Sequence, residues 1–382
     1  MKKKILILLS YVLVAALATA LTLGIVEWQY GGFSKLNQLQ NLIADFYIDE
    51  VDMTALEDAA ADAMVSTAGD RWSYYIPAAE YASYRESVEN AYVGIGITIT
   101  VAHDGSGLQV MEVNPGSSAE KAGIQVDDVI IGIEDQSAAG MTTTDARNLV
   151  RGKEGTFVAL TLWRAGETIE ISVERRQVQV AVTEWEMLDG NIGYISILNF
   201  DQRCASETIS AIETLLEQGA EALIFDVRNN PGGYATELVK VLDYLLPEGD
   251  LFRTVDYAGR EAVDTSDAAC LEIPMAVLVN GESYSAAEFF AVALQEYEAA
   301  IVVGEKTTGK GYFQNTFQLN DGSAVALSTG KYFTPKGISL EGVGIQPDVE
   351  VPVDVATATE IYYGRLPAEE DPQLMAAVNA LQ

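Results

Sequence analysis

The sequence predicts a multidomain α/β protein: a layered α/β core, a β-rich domain ahead of it, a small helical amino-terminal segment and one transmembrane helix. Three observations carry this. The run ILILLSYVLVAALATALTLGIV at residues 5–26 has no charge and is long enough to cross a bilayer as a helix. Residues 91–178 read as short alternating strands broken by Gly and Asp turns. From residue 179 onward apolar strands alternate with amphipathic helices, the pattern of helices layered on a sheet.

Each element has its own justification. Residues 1–4, MKKK, put positive charge before the apolar run, which favours a cytoplasmic amino terminus and an exported body beyond Trp28. The expected location is therefore the cell membrane, single-pass, with the body extracytoplasmic. Ala18 and Ala20 form an A-x-A site, so a cleaved signal peptide and a secreted body are the alternative to a signal-anchor. In residues 27–90, Leu36, Leu39, Leu42, Ile43 and Phe46, then Met53, Leu56, Ala60 and Met64, recur at helical spacing and stop at Gly69.

Residues 91–178 carry turns at DGSG and NPGS, a short helix in SSAEKAG, a helix beginning near Thr143 and a closing strand pair, FVALTLWRAGETIEISVERR. The order of strands, turns and helices resembles a PDZ domain. In such a domain the turn Tyr92-Val93-Gly94-Ile95-Gly96 and the strand that starts at Ile97 would hold a peptide, with successive amides facing one carboxylate and a strand edge free for pairing. A plain glycine turn is the alternative for that turn taken alone. Arg151 in LVRGKEG stands either as a reporter of peptide docking or as an exposed loop arginine.

The core, residues 179–353, has strands at NIGYISILNF, EALIFDV, PMAVLVN and AAIVVG, with helices over ASETISAIETLLEQG, Tyr234 to Leu246 and from Ser285. Residues 354–382 form a tail in which Leu374, Met375, Val378 and Leu381 share a helical face, available to the chain's own core or to a second copy.

Composition limits the function. A net charge of −33 excludes nucleic acid and anionic lipid surfaces as ordinary partners, since both would repel it. Two cysteines and one histidine make a zinc site unexpected, and no other metal or cofactor is implied. His103 sits in VAHDGSG, a hairpin tip. A serine or cysteine nucleophile elsewhere must then use another base.

Three loops hold the chemistry. GEKTTGKG, Gly304 to Gly311, nearly spells a phosphate-binding loop, but Gly311 stands where a magnesium-binding hydroxyl is needed. DVRNNPGG ends a strand in two glycines, Gly232 and Gly233, before a helix, so its amides could face a developing oxyanion. In NGESYSAAE, Ser285 lies at a strand-to-helix turn with the Ala286 amide beside it. Ser285 can be an exposed nucleophile or, with Glu288, one half of a capping box. Without a usable histidine, a lysine is the remaining base, Lys310 or Lys306. A lysine base must fall from about 10.4 to between 7 and 8, which costs about 4 kcal/mol and needs an apolar, closed site.

Together DVRNNPGG, SYSAAE, GEKTTGKGYFQ and STGKYFTPKGISLEGVGIQPDVEVP, in this order, are similar to the carboxyl-terminal processing peptidases, also called tail-specific proteases. AGDRWSYYIP ahead of the PDZ-like stretch extends the similarity to residues 35–353. The resemblance implies a serine endopeptidase with Ser285 as nucleophile, Lys310, twenty-five residues later, as base, and Gln314 orienting the ammonium. It also implies Ala286 and either Gly232 or Gly233 as oxyanion donors. The substrates would be proteins with free, apolar carboxyl termini, and dimers are common among such relatives. Tyr284 departs from the small residue the family usually has beside the nucleophile. An inactive PDZ and peptidase-like scaffold that only binds carboxyl termini is the alternative function.

Overall fold

The computed structural model describes residues 11–22, 24 and 35–382. The expected transmembrane helix needs correction: among the described residues no helix is long and apolar enough to cross a membrane. Within residues 5–26 the helix is described over 11–22 and at 24, short of the ~20 residues a span requires; residues 5–10, 23, 25 and 26 lie outside the described residues.

The chain divides into two compact units, Met1–Pro77 and Ala78–Gln382. The first contains α1 (Lys35–Phe46), α2 (Met53–Ser66) and the short strand β1 (Tyr74–Ile76). Asp52 starts α2, its carboxylate accepting the Thr54 and Ala55 N–H groups at 2.9 and 3.2 Å, which satisfies donors that a helix start otherwise leaves open.

The second unit begins with α3 (Ala78–Val88), followed by the β-rich domain. Strand β2 (Ala91–Gly94) pairs antiparallel with β9 (Arg176–Gln179), bringing the two ends of this domain together. Between them β3 (Ile97–Val101), β4 (Leu108–Val113), β5 (Val129–Ile133), β6 (Gln136–Ser137), β7 (Phe157–Arg164) and β8 (Glu167–Glu174) form one sheet in the order β3-β4-β5-β7-β8, with β6 on β5. Helices α4 (Ser118–Ala122) and α5 (Thr143–Val150) complete it. In β7 the alternation required of a half-buried strand is explicit: Val158, Leu160 and Leu162 are buried with Ile95, Leu108 and Ile130, while Phe157 faces solvent. His103 lies at the tip of the β3–β4 hairpin, which the Ala102 N–H to Gly107 carbonyl bond of 2.9 Å closes.

The α/β core is a six-stranded sheet in the order β10-β11-β12-β15-β16-β19: β10 (Thr183–Leu188), β11 (Ile192–Ile197), β12 (Ala222–Asp226), β15 (Met275–Val279), β16 (Ala300–Gly304) and β19 (Val349–Glu350). Only β10–β11 is antiparallel. Both faces are covered, so β12 and β15 are buried at every position. Leu223, Phe225, Val277 and Val279 pack into the cluster that includes α6 (Cys204–Glu217), α7 (Ala235–Leu245) and α8 (Ala286–Glu296). Ile224, Ala276 and Leu278 point the other way, onto Leu374 and Ala377 of α10 (Pro372–Ala380). Of the expected apolar stripe, Leu374, Val378 and Leu381 are spent on the chain's own core, and Met375 is exposed. Ahead of it, α9 (Val355–Tyr362) has no buried residue.

A second antiparallel sheet contains β13 (Gly249–Asp256), β14 (Glu261–Ser266), β17 (Tyr312–Gln318) and β18 (Ala324–Phe333). The sequence reading assigned no strands to these segments.

Candidate active site

Neighbouring parallel strands β12, β15 and β16 end at the same edge of the core sheet, and the three chemistry-bearing loops leave from those ends. Open parallel sheets build sites at the carboxyl ends of their strands because the connecting loops and helix amino termini converge there. Topology thus collects DVRNNPGG, NGESYSAAE and GEKTTGKG, which lie about 80 residues apart in the chain at their extremes.

Ser285 occupies the turn from β15 into α8 with φ 59° and ψ −126°, a left-handed backbone unusual for a non-glycine residue. The predicted capping box forms: the Glu288 carboxylate accepts the Ser285 N–H at 3.0 Å, and the Ser285 side chain faces the Glu288 N–H. The same Glu288 N–H lies 2.9 Å from the Ser285 carbonyl oxygen. Ser285 is 8 % exposed.

The turn after β12 lies against this serine. A Cβ on Gly232, whose φ is +88°, would fall 2.7 Å from the Ser285 Cβ and 2.8 Å from the Ala286 nitrogen, so no side chain fits. Asn230, fully buried, organises the turn: its Nδ2 donates to the Ile197 carbonyl at 2.8 Å, its Oδ1 accepts the Gly232 N–H at 2.8 Å, and its carbonyl accepts the Tyr284 N–H at 3.1 Å. The Gly232 amide is thereby committed. Among the described residues the Gly233 and Ala286 amides donate to no acceptor, the former held in place by the bridge between Gly233 and Phe200.

Glu288 joins the serine turn to the lysine loop. Its Oε2 accepts the N–H groups of both Ser285 and Lys310, at 3.0 and 2.8 Å. Two nitrogens on one oxygen lie within about 6 Å of each other. Its Oε1 accepts the Gly309 N–H at 2.8 Å and the Thr307 hydroxyl at 2.5 Å. Thr307 Oγ1 in turn accepts the Ile345 N–H at 2.7 Å. Burial, with the side chain fully enclosed, pushes the Glu288 carboxyl upward, and the bonds from Thr307, Lys310, Gly309 and Ser285 pull it back. Gly309, at φ +84°, packs so tightly under the 340–344 loop that a Cβ would sit 2.8 Å from the Gly344 nitrogen.

The Lys310 ammonium lies 5.5 Å from the centroid of the Tyr284 ring, the residue beside the nucleophile and the one that departs from the small side chain expected there. Burial raises the Tyr284 hydroxyl, with Glu282 adding to it, so the ring stays neutral and its face attracts a cation. The Ser285 hydroxyl and Lys310 are not hydrogen-bonded. Gln314, on β17, donates its amide Nε2 to the Ser328 hydroxyl at 3.0 Å and the Tyr312 carbonyl at 3.1 Å. The Lys306 carbonyl oxygen lies beside Gly281, 3.9 Å from where a Cβ there would stand.

Sequence reasoning missed Asn230 and a charged cluster beneath the same turn. Arg228, with a side chain only 4 % exposed, pairs with Asp226 at 2.6 Å and with Asp371 at 2.8 Å. It also donates to Gln373 Oε1 at 3.0 Å, and the Tyr194 hydroxyl donates to Asp226 at 2.8 Å. Burial and the neighbouring Asp226 charge both raise the Tyr194 hydroxyl. Asp371 caps α10, accepting the Gln373 and Leu374 N–H groups at 3.0 and 3.1 Å. The polar letters of DVRNN were the available signal; the distant partner on α10 left none.

In the β-rich domain a groove of about 300 Å³ runs between the β3 edge and α5, lined by Tyr92, Gly94, Ile95, Gly96, Ile97 and Arg151 among others. Val93 is not on its wall. Arg151 is held twice, its guanidinium 4.6 Å from the Tyr92 ring centroid and 2.8 Å from Glu86.

Comparison with known proteins gives these features a context. A family profile described as peptidase family S41 matches residues 191–351, and a PDZ domain profile matches residues 88–163. The chain is similar to the carboxy-terminal processing protease CtpA of Bacillus subtilis, 35 % identical over 83 % of this chain and 68 % of that one. A protein of Staphylococcus epidermidis named as a CtpA-like serine protease is 32 % identical over 91 % of this chain and 72 % of its own. A solved candidate S41 protease from Bacteroides fragilis, at 17 % identity, shares the fold with a TM-score of 0.55, over 90 % of this chain and 96 % of that one.

Proposed function

This chain belongs to peptidase family S41 as a carboxy-terminal processing serine protease with a PDZ domain, and from that premise we propose that Ser285 and Lys310 form its catalytic dyad. The observation that carries the assignment is the shared Oε2 of Glu288, which ties the backbone of both residues to one atom. The strained strand-to-helix turn that carries Ser285, with φ 59° and ψ −126°, supports its role as nucleophile.

Neutral Lys310 takes the Ser285 proton as Oγ attacks the scissile carbonyl. The oxyanion is held by the Ala286 amide and by Gly233, since the Gly232 amide is already given to Asn230. Lysine then passes its proton to the leaving amine, and the acyl-enzyme forms. Water attacks next, giving its proton to Lys310, and collapse returns the hydrogen to Ser285 and releases the new carboxyl terminus. Productive catalysis requires the Lys310 ammonium to leave the Tyr284 ring and reach Ser285. Gln314 lies on the strand that follows the lysine loop and acts on Lys310 after such a shift.

The groove between β3 and α5 captures the substrate's free carboxyl terminus, and cleavage follows in the tail. The substrates are proteins with unstructured apolar tails, and the lysines ahead of the apolar amino-terminal run support an extracytoplasmic site of action. A reporter fusion active only outside the cytoplasm, joined after residue 40, tests that location; an inactive fusion refutes it.

The decisive experiment incubates the full chain, Ser285→Ala and Lys310→Ala with an unstructured protein ending in apolar residues and follows its tail by mass spectrometry. Wild type is expected to remove the tail, and both variants to lose at least a thousandfold in rate. Equal tail loss in all three refutes the dyad. No cleavage by any of them, with peptide binding retained, favours the scaffold reading.

A further inference from the structure

Ten of the twelve arginines form ion pairs with carboxylates among the described residues. That is what 56 acidic against 23 basic side chains would produce. Arg71 lies over the Trp72 ring. Among the described residues Arg147 has no carboxylate partner, although acidic residues outnumber basic ones in the chain as a whole. It is exposed, on the last turn of α5, and it lines the peptide groove.

Its position along the groove can be worked out. Arg151, over the Tyr92 ring, marks the carboxyl end of α5 as the end nearest the Tyr92–Ile97 turn. Arg147 is about one helical turn earlier, ~6 Å back along the axis. An extended peptide advances ~3.3 Å per residue, so a chain end held at the turn sets its third-from-last residue beside Arg147. The last and third-from-last side chains share one face of an extended strand. The last faces the apolar wall of Ile95, Ile97 and Val150, and the third-from-last faces the guanidinium.

We propose that Arg147 is a specificity-determining residue that selects substrates with Asp or Glu third from a free, apolar carboxyl terminus. This rests on the reading of the groove as the carboxyl-terminus site. The same cation offsets the repulsion that a chain of net charge −33 exerts on acidic peptides.

The test titrates the full-length Ser285→Ala chain against labelled peptides that differ only in Glu, Gln or Lys at the third position from the end, read by fluorescence anisotropy. A fourth peptide has an amidated end. The Glu peptide is expected to bind about two- to fivefold tighter than the Gln peptide, the scale of an exposed ion pair, with the difference shrinking in high salt. Arg147→Gln erases the preference, and Arg147→Glu reverses the order of Glu and Lys; continued binding of the Gln peptide shows that both variants fold. Equal affinity for Glu, Gln and Lys, with amidation abolishing binding, overturns the Arg147 assignment and leaves the groove reading standing. Binding that ignores amidation, or none by any free-ended peptide, overturns the groove reading and this inference with it.

Discussion

At the scale of single residues, Glu288 is the buried carboxylate that joins the serine turn to the lysine loop. It takes four hydrogen bonds on two oxygens, the full capacity of an ionised carboxylate in this geometry. A glutamine in its place keeps one acceptor oxygen and turns an NH₂ group toward two N–H or O–H donors. Glu288→Gln is therefore expected to lose about 1–3 kcal/mol of stability. Because the same oxygen aligns Ser285 and Lys310, kcat should fall at least tenfold with KM nearly unchanged. Denaturant melts and steady-state kinetics measure both, and a variant with wild-type kcat would show that the clamp does not align the dyad. The pattern S-x-x-E was visible in the sequence, but only as a helix cap. That one of its oxygens also reaches a loop 22 residues later was not, because hydrogen bonds between loops leave no periodic trace.

At the scale of elements, the carboxyl-terminal helix α10 and the Val227–Gly233 turn are tied together by one arginine. Arg228 is clamped between Asp226 at the end of β12 and Asp371 at the start of α10. Burial works against the Arg228 charge, and Asp226 and Asp371 more than restore it, so the guanidinium stays charged at every working pH. Asp371→Asn removes one of its two carboxylates while leaving the shape intact, at an expected cost of about 2 kcal/mol. Loosening the Val227–Gly233 turn should lower kcat more than it changes peptide affinity. If melts shift while kcat stays at the wild-type value, Asp371 serves only stability. The tail's apolar spacing predicted a helix with a sticky face; the surface that takes that face is the second side of β12 and β15, where Leu374 and Ala377 pack on Ile224, Ala276 and Leu278. The β13, β14, β17 and β18 sheet was missed for a related reason. Its strands, such as YFQNTFQ with four exposed positions, lack a clean apolar alternation and are specified by their partners.

At the scale of the whole molecule, the fold buries Cys204 completely in the main core, beside Thr208, and Cys270 is a separate, partly exposed thiol. Burial pushes the Cys204 thiol up to about 12. The folded state then holds a proton that the unfolded chain releases at its lower, ordinary pKa. The stability it contributes is whole below about pH 9 and is lost as pH climbs from there toward about 12. Melts across this window should show a decline that is shallower in Cys204→Ala, and a thiol reagent at pH 8 should label Cys270 alone until the protein is denatured. Rapid labelling of Cys204 in the native state would contradict its burial. The sequence by itself determined the α/β core, the PDZ domain, the serine and lysine loops and the serine-peptidase class, since strand alternation, helical spacing and turn chemistry are local and written in consecutive residues. It misjudged residues 5–26 as a transmembrane helix: among the described residues no helix is long and apolar enough to cross a membrane. Only the tertiary structure decided that one carboxylate joins Ser285 to Lys310, that Asn230 takes the Gly232 amide and leaves Gly233 open, and that Arg147 stands unpaired in the groove. Each of these depends on which loops meet at the end of a sheet, and that meeting is set by strand order, a property of the folded chain and of no segment within it.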